Sequence, residues 1–232
     1  MPIPDNKWKF AGLLLGVGLI FSILALLGLA EFHDEIAEPF LTRLDQVGMQ
    51  VVHAHDTAWL TRIALALSWI GSPKVFVPGV SIMSILLWRV KLKEDAVVLF
   101  LAITSSGLLD TALKLHFKRV RPDVSWALAT EHSFSFPSGH SVAAVVLYGM
   151  VTYLLWKHLH KLWQRVVVIT TALLLIAGIG ASRVYIGVHF PTDVAAGYSV
   201  GLFWLLTVIA TNEYLNWAGR KRMMVDGDLT RV

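Results

Sequence analysis

The stretch that decides the fold is Ala96–Phe117, AVVLFLAITSSGLLDTALKLHF, which runs directly into Lys118-Arg119-Val120-Arg121-Pro122. It is apolar for about 20 residues, enough for a helix to cross ~30 Å of hydrocarbon. It then ends in a burst of positive charge. Runs of the same kind recur outward from it in both directions. Five further spans are expected over residues 10–30, 74–88, 138–156, 162–181 and 191–212. Composition agrees: 56% of the 232 residues are hydrophobic and 16% charged, with a mean hydropathy of +0.63. A soluble domain carries roughly 25% charged residues, so this chain has too few to cover a water-exposed surface. The expectation is an all-α, polytopic membrane protein, with six transmembrane helices in a bundle forming one integral-membrane domain over residues 1–232.

Other classes drop out at the same step. The chain has no Cys, which removes a disulfide framework, Cys-ligated zinc and a thiol nucleophile. The net charge of +4 does not mark a nucleic-acid partner, because the basic residues are scattered between apolar spans instead of forming a stripe. They read as topology signals. With the N-terminus inside, twelve of the 20 Lys and Arg residues fall on the cytoplasmic side and eight on the other. Trp8, Trp88, Trp156, Trp163 and Trp217 mark the cytoplasmic boundary. Both termini are therefore expected inside the cell. The first span resembles a signal peptide at Gly28-Leu29-Ala30, but its apolar core exceeds the usual 7–15 residues, so it reads as a retained anchor.

Between the first two spans, residues 31–73 form an extracytoplasmic segment. Phe32, Ile36, Phe40 and Leu44 recur every four residues with Asp34, Glu35, Glu38 and Asp45 between them, the pattern of an amphipathic helix lying in the interface. Trp59 to Ile70 is apolar but too short to span, and reads as interfacial or re-entrant. Packing over the bundle and a substrate gate are both open as its role.

The chemistry lies at span ends, in three clusters on one face. These are Lys114 with Arg121-Pro122, then Pro137-Ser138-Gly139-His140, and finally Ser182-Arg183 with His189 and Asp193. Polar groups are expensive in lipid, so several converging on one face mark a functional site. Lys114, Arg121 and Arg183 can neutralise a phosphate dianion, the arginines through forked donors. Ser138 is a natural N-cap, and free N–H groups around Gly139 would point at an anion. His189 and Asp193 straddle Pro191, which suits a helix start. A carboxylate on one ring nitrogen fixes the tautomer and leaves the other free to attack phosphorus. His140 can supply the proton for a leaving oxygen. This phosphate cradle calls for no metal.

These eleven positions resemble the three-part signature of the type-2 phosphatidic acid phosphatase superfamily, in order and with the family's spacing. The resemblance implies that His189 is a nucleophile forming a phosphohistidine, with Asp193 orienting it. It implies His140 as general acid and then as the base activating water. Lys114, Arg121, Ser138, Gly139 and Arg183 would bind phosphoryl oxygens, with Ser182, Pro137 and Pro122 in supporting places. No metal or organic cofactor is implied. The partners are a membrane lipid phosphate and the bilayer, with the site on the extracytoplasmic face of the cell membrane. Phosphatidylglycerophosphate is the substrate the resemblance suggests first and undecaprenyl diphosphate second. An anion transporter and a head-group transferase are the competing classes.

Several neighbours have plainer readings. Lys118 and Arg119 are expected to be ordinary interfacial charges, and Asp110 an i,i+4 partner holding Lys114. His116, His132, His158 and His160 have no carboxylate at matching spacing; His158 and His160 are expected to be solvated in the inner loop, and His53 and His55 to be interfacial polar residues.

Overall fold

The computed structural model describes residues 37–229, and side chains over residues 39–217. Among the described residues the secondary structure is helical: α1 (Ala37–Ala54), α2 (Ala58–Ile70), α3 (Pro73–Arg89), α4 (Lys93–Phe117), α5 (Gly139–Trp156), α6 (Leu162–Tyr185) and α7 (Pro191–Leu229). The expected first span lies outside the described residues. Four helices are long and apolar enough to cross a membrane: α4, α5, α6 and the Pro191–Trp217 part of α7. Helices α2 and α3 pass the same test only as a pair bent by 48°. The described residues therefore carry four or five spans of a multi-pass membrane protein, against the five expected there.

Helix α5 is the centre of the bundle. It is apolar all round, as a helix enclosed by others must be. Ala144, Val145, Val146, Leu147, Met150 and Leu154 are buried on it, against Leu99 and Ala102 of α4, Ile179 of α6, Leu205 of α7 and Phe76 and Val80 of α3. The approach of α7 to α5 depends on Gly197 and Gly201, spaced as a small-xxx-small pair. A Cβ at Gly197 would stand 2.7 Å from the Ser138 carbonyl oxygen, and one at Gly201 2.9 Å from that of Val142. With lipid as solvent, close packing of this kind takes over from hydrophobic burial as the force between helices.

Two elements run further than the sequence suggests. Helix α6 continues to Tyr185 instead of stopping near Ala181, so Ser182 and Arg183 sit in its last turn. Helix α7 continues past Asn212 to Leu229, with no proline between them to stop it. Helix α1 also departs from expectation in orientation. Phe40, Leu44, Val47 and Val51 are exposed on its outer side, whereas Asp45 is turned into the bundle at 2% exposure. Phe32, Asp34, Glu35, Ile36 and Glu38 lie outside the described side chains.

Candidate active site

The site gathers at the end of the bundle where α4 stops and α5 and α7 begin. Helix α4 closes through Lys118, whose left-handed backbone (φ 48°) lets its N–H reach back to the Lys114 carbonyl at 3.0 Å. The chain then crosses the mouth of the bundle as an irregular segment, residues 118–138. That segment is pinned at both ends. The Ser135 N–H donates to the Arg119 carbonyl at 2.9 Å, and the Ser138 N–H donates to the Asp193 carbonyl at 3.0 Å.

Ser138 holds the N-cap position of α5 as expected, but its hydroxyl makes no capping bond. The Ser138 Oγ is fully buried and has no hydrogen-bond partner. The Nε of Arg183 is in the same state, in a side chain only 3% exposed. Gly139 lies against the Asp110–Lys114 pair, in which Lys114 Nζ is 2.7 Å from both carboxylate oxygens. A Cβ at Gly139 would stand 2.7 Å from Asp110 Oδ2 and 3.0 Å from Lys114 Nζ. The glycine is thus required for close approach, and the expected i,i+4 pair is formed.

His189 is 1% exposed and Asp193 fully buried. Pro191 opens α7, and Asp193 in its first turn accepts the Phe190 N–H at 2.9 Å, as the third residue of a capping box does. The same oxygen, Oδ2, lies 3.4 Å from His189 Nδ1, within ion-pair range but beyond a formed hydrogen bond. On the other edge of the ring, Arg121 Nη1 is 3.2 Å from Nε2. A guanidinium only donates, so Nε2 is the acceptor and the ring proton belongs on Nδ1, facing Asp193. Burial pushes the His189 imidazole below its ordinary pKa, with Asp193 opposing. The neutral tautomer thus carries its lone pair on Nε2, the nitrogen that faces the cations.

His140, on the first turn of α5, shares this field, since it is subject to the charges of Arg183, His189, Lys114 and Arg121. The bend between α2 and α3 makes room for it: a Cβ at Gly71 would stand 3.2 Å from His140 Cδ2. The structure therefore brings together Lys114, Arg121, Ser138, Gly139, His140, Arg183, His189 and Asp193. Pro137 and Pro122 flank them in the covering segment, Pro137 through a cis Phe136–Pro137 peptide. Ser182 does not join them, because its hydroxyl donates to the Ile179 carbonyl at 2.6 Å.

Four participants are not visible in the motif spacing. Glu131, in the covering segment, forms an ion pair with Arg183 Nη2 and places its other oxygen 3.9 Å from Arg121 Nη2. Burial raises its pKa, but Arg183 outweighs that and holds the carboxyl below its ordinary value. Ser68 of α2 accepts from Arg183 Nη1. Arg119 is not an ordinary interfacial charge: Nη1 is 2.5 Å from Asp193 Oδ1 and Nη2 is 2.6 Å from Asp45 Oδ2. Asp45 arrives from α1, 74 residues from Arg119 and 147 from Thr192, a distance in sequence that no local pattern reveals. Among the described residues no cluster of three His, Asp or Glu side chains could hold a metal ion.

A buried imidazole thus lies between a carboxylate and a guanidinium group at the mouth of the helical bundle. Residues 95–217 match the PAP2 superfamily, and the chain belongs to it. It is similar to the phosphatidylglycerophosphatase B of Bacillus subtilis, with 35% identity over 67% of this chain and 76% of that one. It also resembles the undecaprenyl-diphosphatase of Sulfolobus acidocaldarius, at 28% identity over 66% of this chain and 70% of the relative. The crystal structure of a transmembrane PAP2-type phosphatidylglycerolphosphate phosphatase from Bacillus subtilis superposes with a TM-score of 0.72. The two chains are 32% identical, and the match covers 84% of this chain and 94% of that one.

Proposed function

We propose that this protein removes the terminal phosphate from phosphatidylglycerophosphate, on the extracytoplasmic side of the membrane, through a phosphohistidine at His189. The observation that carries the reading is the Nε2 lone pair of a buried, neutral His189, opposed by Asp193 and facing Arg121 and Arg183. Two buried polar atoms without protein partners, Ser138 Oγ and Arg183 Nε, supply further donors for phosphoryl oxygens.

The geometry supports a two-step transfer. Phosphoryl oxygens take donors from Arg121, Arg183, Lys114, Ser138 and the N–H groups at the start of α5. Arg121 Nη1 leaves Nε2 for a phosphoryl oxygen, which frees the lone pair for in-line attack. The N–P bond forms as the P–O bond to the lipid alcohol breaks, and His140 gives the leaving oxygen its proton. Asp193 balances the charge that the ring acquires. In the second half His140 takes a proton from water, the hydroxide attacks phosphorus, and the N–P bond breaks to release inorganic phosphate. No metal is assigned a step.

The test uses purified protein in detergent micelles with phosphatidylglycerophosphate or undecaprenyl diphosphate, measuring released phosphate. Faster release from the glycerophospholipid supports the reading, and turnover of the diphosphate alone replaces it with lipid-carrier recycling. His189→Ala should abolish release and EDTA should leave it unchanged. Transfer of the phosphatidyl or phosphoryl group to an added alcohol in place of hydrolysis would make the protein a transferase. Anion flux across vesicles without phosphate release would make it a transporter.

A further inference from the structure

Asp193 has more partners than the motif supplies. Its Oδ2 takes the Phe190 N–H and faces the imidazole, while Oδ1 takes Arg119 Nη1. The same guanidinium reaches Asp45 through Nη2 and Thr192 Oγ1 through Nη1, at 2.6 and 2.8 Å. Asp45 in turn accepts the Thr192 N–H at 2.9 Å and the Thr192 hydroxyl at 2.7 Å. A side chain from α1 therefore caps the first turn of α7, the turn that carries Asp193. Arg119 is also held from its other face by the Phe190 ring, 4.3 Å from the guanidinium carbon.

Two buried carboxylates share this one cation. Burial works against the guanidinium charge, but Asp193 and Asp45 outweigh it and hold Arg119 above its ordinary pKa. A mere strut needs no such arrangement, because leaving a carboxylate buried beside a single counter-ion is costly and an apolar contact would join the helices as well. The charge that Asp193 presents to His189 depends on how much of Arg119 is committed to Asp45. We propose that Arg119 and Asp45 are positioning residues for the phosphotransfer: Arg119 orients Asp193 towards His189, and Asp45 draws the guanidinium away so that Asp193 keeps charge for the imidazolium that forms. The inference rests on the roles given above to His189 and Asp193.

The two residues act in opposite senses, which makes the idea testable. Arg119→Gln releases the whole Asp193 charge to the ring, stabilises protonated His189, and moves the acid limb of kcat/KM to higher pH. Asp45→Asn commits Arg119 to Asp193, disfavours the imidazolium, and moves the limb to lower pH. The other charged groups facing the ring are Arg121 and Glu131 from the covering segment, Arg183 from α6 and His140 from α5, and all are retained. Both variants should lower kcat on the order of 10- to 100-fold, the scale of a misoriented catalytic group, with KM changed by less than about threefold.

The measurement is phosphate release from phosphatidylglycerophosphate micelles across pH by wild type, Arg119→Gln, Asp45→Asn and His189→Ala. Opposite displacement of the two limbs supports the proposal. Limbs that stay in place, or move together, overturn it, even where the wild type is active and His189→Ala is dead. If one variant does not fold, the direction of the other's limb decides alone. An inactive wild type indicts the substrate reading instead.

Discussion

The two edges of the His189 ring are built in different ways. On the Asp193 edge the contacts lock onto the first turn of α7: the capping bond to Phe190, the Arg119 bridge from the start of the covering segment, and Asp45 reaching across from α1. Every carboxylate there is at least 98% buried. On the phosphate edge the cations are held by groups that can leave. Glu131 occupies Arg183 and approaches Arg121 from an irregular segment, with its side chain 33% exposed. Arg121 itself bonds the Ser133 and Val188 carbonyls at 2.7 and 2.8 Å as well as Nε2. In the proposed mechanism the first edge orients His189, and the second exchanges its partners for phosphoryl oxygens at each turnover. Preorganisation and turnover are assigned to opposite sides of one ring.

The largest effect that sharpens this contrast should come from Asp193→Asn. An amide can present its N–H to Nδ1 and favour the wrong tautomer, so kcat should fall on the order of a thousandfold or more. Phosphate-release kinetics check it, and a loss confined to KM would count against the locked edge. Arg183→Lys should follow, with roughly a hundredfold loss in kcat/KM, because a point charge cannot serve Ser68, Glu131 and a phosphoryl oxygen with forked geometry.

Glu131→Gln tests the exchangeable edge through its sign. A carboxylate that competes with phosphate for Arg183 and Arg121 weakens product binding, so removing its charge should tighten inhibition by inorganic phosphate about tenfold, the scale of one charged hydrogen bond. Weaker inhibition would instead make Glu131 a fixed support for Arg183. Stability should respond as well. The folded-state pKa of Glu131 lies below its ordinary value near 4.5, so its contribution is complete above that value and disappears as pH falls through the folded pKa. Ligand-free wild type should lose thermal stability across that window more steeply than Glu131→Gln.

How far the sequence carried the reading differs between the same two edges. The residues proposed to hold phosphate are legible because they cluster in three short blocks at span ends, where each block's spacing is local. Asp110 is legible for the same reason, since its partner is one helical turn away. Arg119 is not legible in this way: nothing near it in the sequence distinguishes a surface charge from one that bridges two buried carboxylates. Asp45 was placed on the polar side of an amphipathic helix, which is correct as periodicity. Its burial depends on where α1 lies against α7, a tertiary fact. Glu131 and Ser68 carry no pattern at all. Spans were read well where apolar runs are long, in α4 and α5. In α2 and α3 the interruption at Gly71-Ser72-Pro73 is legible as well, and it divides one apolar stretch into two arms bent by 48°.

The smallest effect bears on that bent pair. Ser68 lies in α2, and its buried hydroxyl accepts from Arg183 Nη1, so it ties the bend to the phosphate edge. Ser68→Ala leaves one guanidinium donor without its protein partner, which costs on the order of 1 kcal/mol at the low end for a buried donor because the charge keeps another partner. Arg183 still has Glu131, so the ion pair survives and the fold should tolerate the change. What changes is the placement of Nη1. The expectation is a rise in KM of about fivefold with kcat within twofold, since the missing bond acts alike on bound substrate and on the transition state. Ser68→Thr, which restores the hydroxyl, should recover most of the KM. If Ser68→Ala instead lowers kcat as strongly as Arg183→Lys, the Ser68 bond belongs to the locked half of the site, and the division between the two edges would have to be redrawn through Arg183.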